Sequence, residues 1–162
     1  MTQIVVAVIC AVLSAVATYY TPLLLSAIQS EHRKHLSGDW LSTSYASTEK
    51  GWVKDTIEIT ISPISITLQN RQKPHGFDYE GTAKFVGNRH LVGDWKSKRQ
   101  GATNSGPFSM TIEPQGRYFF GFYGGRDDDG SYRWHGWCLA RNEKDLEIAK
   151  LRLIDSARIK EN

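Results

Sequence analysis

Charge is missing from the start of the chain: between Met1 and Ser30 there is no Asp, Glu, Lys or Arg. Cysteine is nearly missing as well. Cys10 and Cys138 stand far apart, and neither belongs to a C-x-x-C or Cys/His spacing, so no disulfide and no zinc site is expected. His32, His35, His75, His90 and His135 are scattered without ligand spacing, and "RDDDG" at 126–130 lacks the alternating ligands and distal Glu of a calcium loop. No Ser or Cys sits in a recognisable nucleophile motif, so the chain does not read as an enzyme and calls for no cofactor. Dense positive charge is also lacking. A net charge of +3 over 162 residues falls far short of the basic stripe that duplex nucleic acid requires, while permitting a small anionic partner.

What the uncharged start holds is a long apolar run, from Ile4 to Ile28. At ~1.5 Å per residue it reaches roughly 37 Å as a helix, enough to cross a bilayer core of about 30 Å. Residues 1–30 are therefore expected to form one transmembrane helix. A cleaved signal peptide is the competing reading, because "AVA" at 15–17 resembles a cleavage site. Against it, "MTQ" carries no positive charge and the apolar run resumes beyond the supposed cut. Arg33 and Lys34 follow in a basic juxtamembrane segment, 31–36, which places the rest of the chain in the cytoplasm by the positive-inside rule. Ala7, Ala11 and Ala15 recur every four residues, a spacing of small side chains that lets helices associate in lipid.

Beyond Leu36 the apolar period changes to two. "GDWLSTSYAS", "WVKDTIEITIS", "ISITLQ", "FDYEGTAKF", "HLVGDWKS", "PFSMTIE", "RYFFGFYG" and "SYRWHGWCLAR" are short segments separated by turn residues, and they predict eight antiparallel strands. Eight strands on short connections have edges best removed by closure, so residues 37–142 are expected to form an all-β, up-and-down, lipocalin-like barrel. Gly81, Gly93, Gly121 and Gly136 lie inside predicted strands, where they permit bends. The tail, 143–162, fits a helix through Leu146, Ala149 and Leu153, and fits a strand through "LEIAKLRLI".

The combination of "GDWLS", "LVGDW", "GPFSMTIEPQGRYFFGFYGG" and "HGWCLAR" behind an apolar span resembles the membrane-anchored β-barrel effectors of bacterial cyclic-oligonucleotide antiphage signalling. The resemblance implies a single-pass protein of the bacterial inner membrane. Its cytoplasmic barrel would bind a cyclic di- or oligonucleotide made by a partner nucleotidyltransferase, controlling homo-oligomerisation of the span and membrane disruption. The alternative is a lipocalin-type carrier of an apolar or amphiphilic ligand, anchored or secreted.

A nucleotide needs flat aromatic faces for its bases and cationic or amide donors for its phosphates. Lys96, Lys98, Arg99 and Asn104 around one loop, with Tyr118, Arg126, Tyr132 and Trp134 near the last hairpin, are the candidate ligand-binding residues. Trp40 of the opening Gly-x-Trp is expected to be capped by Arg141 from the last strand, as in lipocalin-like barrels. Trp95, in the second copy of the octet H-L-x-G-D-W-x-S, is assigned to barrel closure with them. The copies at 35–42 and 90–97 raise the question whether a duplicated sequence marks a duplicated site.

Overall fold

The computed structural model describes residues 13–21, 24, 28, 31–47, 51–71, 78–101, 103–126 and 130–158. Eight antiparallel strands form a closed barrel in sequence order. They are β1 (Gly38–Ser47), β2 (Gly51–Ile61), β3 (Ile66–Asn70), β4 (Tyr79–Val86), β5 (His90–Ser97), β6 (Ser105–Ile112), β7 (Tyr118–Arg126) and β8 (Tyr132–Ala140). Closure comes from β1 pairing with β8, Leu41 opposite Ala140 and Ser44 opposite Trp137. This is the expected all-β up-and-down architecture.

Period two is what fills the barrel. Trp40, Ile57, Ile59, Leu68, Leu91, Phe108, Met110, Phe119 and Leu139 alternate inward and form the core. Two of the strand glycines permit close packing of neighbouring backbones. A Cβ on Gly93 would meet the Thr82 carbonyl, and one on Gly121 the Ser109 carbonyl. Gly136 serves differently from the expected bend: a Cβ there would run into Leu153 and Trp52 outside the wall.

The ambiguous tail is a helix, Glu143–Arg158. Asn142 caps it, its Oδ1 accepting from the Asp145 N–H at 3.0 Å, and Leu146, Ala149 and Leu153 pack on Tyr118, Cys138 and Ala140. Burial under this helix pushes the Cys138 thiol up to about 12, which leaves it a poor nucleophile at neutral pH.

Ile64 departs from its expected strand. It sits at the tip of the β2–β3 hairpin, 84% exposed, because Ser62 and Ser65 close a turn before β3 begins. Of the expected transmembrane segment, residues 13–21 are helical, while 1–12, 22–23, 25–27 and 29–30 lie outside the described residues, Ala7 and Ala11 among them. Among the described residues no helix is long and apolar enough to cross a membrane.

Candidate functional site

Odd-numbered strands run from one pole of the barrel to the other and even-numbered strands return, so each pole has its own set of loops. At the pole where β1 begins, the barrel is sealed. A short 3-10 turn, Lys34–Leu36, tucks Leu36 inside, and the Leu36 carbonyl accepts from the Trp40 indole at 2.8 Å. Arg141 stacks over Trp40, 4.2 Å from its ring centroid. Its guanidinium donates to the carbonyls of Asp39 (2.7 Å), Ser37 (2.7 Å) and His35 (3.0 Å). One planar fork thus satisfies the backbone of the segment entering the barrel.

The opposite pole is polar and aromatic. Asp55 shares its inward parity with Ile57 and Ile59, and so carries a carboxylate into the barrel. The Tyr79 hydroxyl donates to Asp55 Oδ2 at 3.2 Å, and the Thr56 N–H donates to Asp55 Oδ1 at 2.6 Å. Asn70 Oδ1 accepts from the Tyr79 N–H at 3.0 Å, and Ser42 Oγ accepts from the Trp137 indole at 3.1 Å. Trp95 spans the mouth, its indole donating to the Gly124 carbonyl at 2.8 Å. Trp95 contacts Tyr79 on one side and Tyr123 on the other, both edge to face, and Tyr123 stacks on His135 at 5.1 Å. Below them Phe108 and Trp137 fill the interior edge to face.

Burial raises the Asp55 carboxyl above its usual 3.8, against the hydrogen bonds from Thr56, Tyr79 and Asn70 that lower it. Burial, then the Asp55 charge, push the Tyr79 phenol well above its usual value, so it stays a neutral donor. A raised carboxyl means that charged Asp55 disfavours folding at neutral pH. As pH falls through its folded-state value the folded chain takes up the proton first, and this group's contribution to stability rises until the unfolded value is passed. Asp55→Asn is expected to raise the melting temperature at neutral pH and to remove that acid-side increment. Tyr79→Phe, which takes away a donor to the carboxylate, is expected to cost about 1.5–2 kcal/mol. Thermal unfolding against pH reads both.

The expected ligand residues divide in this geometry. Lys96 and Lys98 stand at the polar mouth and share Glu80, at 2.9 Å and 3.6 Å. The Lys96 hydrogen bond, aided by Lys98, holds the Glu80 carboxyl below its usual range. Arg99 and Asn104 lie on the β5–β6 loop of this pole, where the Asn104 carbonyl accepts from Ser97. Arg126 is also here, opposite Tyr132 across the β7–β8 pair. Tyr132 and Trp134 are half-exposed or more on the outer wall, Tyr132 lying across Gly124. Tyr118 is not part of this group. It sits at the sealed pole, 5% exposed beneath the C-terminal helix, since the first residue of β7 points outward onto that helix.

Comparison with known protein families and with curated proteins returns no match. The chemistry of the chain is therefore carried by its own residues.

Trp95 belongs to the polar mouth rather than to the closure that Trp40 and Arg141 make at the other pole. Asp55, Asn70, Tyr79, Tyr123 and His135 were not singled out by the sequence reading. The available signal was a polar or aromatic residue on the inward parity of an apolar strand, as in Asp55-x-Ile57-x-Ile59. Among the described residues no group of His, Cys, Asp and Glu is arranged to hold a metal.

Proposed function

We propose that this chain is a membrane-tethered sensor of bacterial antiphage defence, whose barrel receives a cyclic di- or oligonucleotide at its polar pole. That ligand controls assembly of the apolar N-terminal stretch into an oligomer that disrupts the inner membrane. The observation that carries the ligand half is the meeting, at one pole, of the partly buried residues Tyr79, Trp95 and Tyr123 with Lys96 and Lys98. Stacked bases gain about 1–3 kcal/mol each on such rings, and phosphates favour the lysine side. The Asp55 carboxylate at the floor is an acceptor for a base's amino group.

A carrier of apolar ligands requires an open, dry interior. Trp40, Phe108, Phe119 and Trp137 occupy the interior of this barrel, which favours recognition at the mouth. The membrane half of the reading rests on the uncharged run from Ile4 to Ile28.

Thermal unfolding of the full chain in detergent, against a panel of cyclic di- and trinucleotides, tests the ligand half. At 100 times its dissociation constant the ligand is expected to add about 2.7 kcal/mol. Lys98→Glu should reduce that gain while leaving the unliganded melting temperature nearly unchanged. No shift with any member of the panel removes the nucleotide reading, and a shift with fatty acids alone installs the carrier. A reporter fused after Asn162 that proves periplasmic removes the cytoplasmic placement.

A further inference from the structure

We propose that the sealed pole of the barrel docks on an anionic lipid surface, with the tip of the β2–β3 hairpin entering the bilayer interface. This rests on the reading that the N-terminal stretch is held in the membrane, and it adds a second, separate attachment through the barrel itself.

The chain reaches the barrel at this pole. Arg33 lies over Phe85, 4.0 Å from the ring centroid, and donates through Nη2 to the Gly87 carbonyl at 3.0 Å. The end of the apolar stretch is therefore only a few residues from a guanidinium fixed to the β4–β5 turn. A tether that short holds the sealed pole, not the polar mouth, against whatever surface the stretch enters.

That pole is built to meet lipid. Ile64 is 84% exposed at a hairpin tip that is closed by hydrogen bonds: the Ser62 N–H donates to the Ser65 carbonyl at 2.9 Å, and the Ser65 N–H to Ser62 Oγ at 3.0 Å. The barrel core makes no use of the Ile64 side chain, yet the turn displays it rigidly. Val86, the last residue of β4 before the neighbouring β4–β5 turn, is half-exposed. Between the two turns lies a cleft of about 120 Å³ lined by Arg33, Ile64, Lys84 and Phe85, among others.

The charge around these apolar tips is positive. Lys84 is exposed and makes no ion pair among the described residues. Arg89 is exposed too, anchored through its Nε to the Ile112 carbonyl at 3.2 Å. The nearby carboxylates are already engaged, Glu31 with Lys34 and Glu113 with Arg117. Apolar tips ringed by cations match the layering of an anionic bilayer, in which phosphates lie above the acyl boundary. Two apolar side chains bury too little area for a stable protein interface, which argues for lipid over a protein partner.

The test places an environment-sensitive fluorophore on Ile64→Cys in the full chain carrying Cys10→Ser, Cys138 being protected by burial. The chain is reconstituted with vesicles of phosphatidylcholine and phosphatidylglycerol, or of phosphatidylcholine alone. Expected are a blue shift and quenching by spin-labelled lipid in the anionic vesicles, and neither for the same probe at Ser131 on the polar pole. Lys84→Gln and Arg89→Gln should each lower the ratio of docked to undocked barrel roughly fivefold, matching about 1 kcal/mol per basic residue at an anionic surface. Alkaline carbonate extraction, run in parallel, reports the tether. A chain that resists extraction while its Ile64 probe stays water-like overturns the docking and leaves the tether standing. A probe that is quenched on a chain that carbonate extracts supports docking and overturns the tether, and failure of both readouts overturns both.

Discussion

Replacing Arg141 with alanine is expected to lower the unfolding free energy by about 2–3 kcal/mol. Three backbone carbonyls, of His35, Ser37 and Asp39, accept hydrogen bonds from this one guanidinium. The same group covers the face of Trp40, which is 1% exposed at the sealed pole. Alanine leaves the carbonyls to water and uncovers the indole, and the partial exposure of Arg141 keeps the loss below that of a fully buried ion. Arg141→Lys should recover little, because an ammonium lacks the planar fork that reaches several carbonyls at once. Lys150, 5.5 Å from the Trp52 ring on the barrel's outer surface, supplies the contrast. Lys150→Ala should change stability by less than about 0.5 kcal/mol. Urea unfolding with an unchanged slope reads both, and an Arg141→Ala loss no larger than that of Lys150→Ala would sink the assignment of Arg141 as the seal. Arg141 also binds the entering segment to the end of β8, so its loss should free that segment from the barrel before the barrel unfolds.

The strands were legible because each buries one face, and a period of two then marks the wall. β1 and β5 have the boundaries that their patterns predict. Legibility failed where both faces of a strand are apolar. In β7, Phe119 faces the core while Tyr118 and Phe120 face the C-terminal helix, so alternation alone does not say which side of the wall an aromatic takes. Tyr118 was misplaced for that reason. The tail was ambiguous because "LEIAKLRLI" supports both periods, and what decides it is the Asn142 cap together with a groove over Gly136 that only the closed barrel creates. The lysines of the mouth were visible as a charged loop, yet their partner Glu80 is set by the β4–β5 register, which sequence spacing does not reveal. Asp55 was hidden by its ordinariness, a lone carboxylate whose meaning is its parity.

Gly93→Ala is expected to cost about 3 kcal/mol or more, and Gly38→Ala less, although both glycines open the same G-D-W triplet. Gly38 has φ +106°, which an L side chain adopts with strain of about 1–2 kcal/mol, and its nearest neighbour is a single side-chain atom, Arg141 Nη1 at 3.3 Å, rather than backbone. Gly93 needs space instead. A methyl there meets the Thr82 carbonyl and the Ala83 Cα, backbone atoms of β4 that move only if the strand moves. Gly87→Ala, at φ +64° with nothing within 4 Å, isolates the dihedral cost alone and should resemble Gly38 rather than Gly93. Displacing β5 from β4 also draws Trp95 away from the Gly124 carbonyl, so hydrogen exchange of the Trp95 indole should speed up in Gly93→Ala and stay slow in Gly38→Ala. Equal costs at the two glycines, with equal indole exchange, would show the octets to be structurally equivalent. The register argues otherwise. The first octet begins in the 3-10 turn and puts Trp40 three residues into β1, at the seal; the second lies wholly in β5 and puts Trp95 toward the mouth. The same motif, shifted along its strand, closes the barrel at one pole and lines the aromatic mouth at the other.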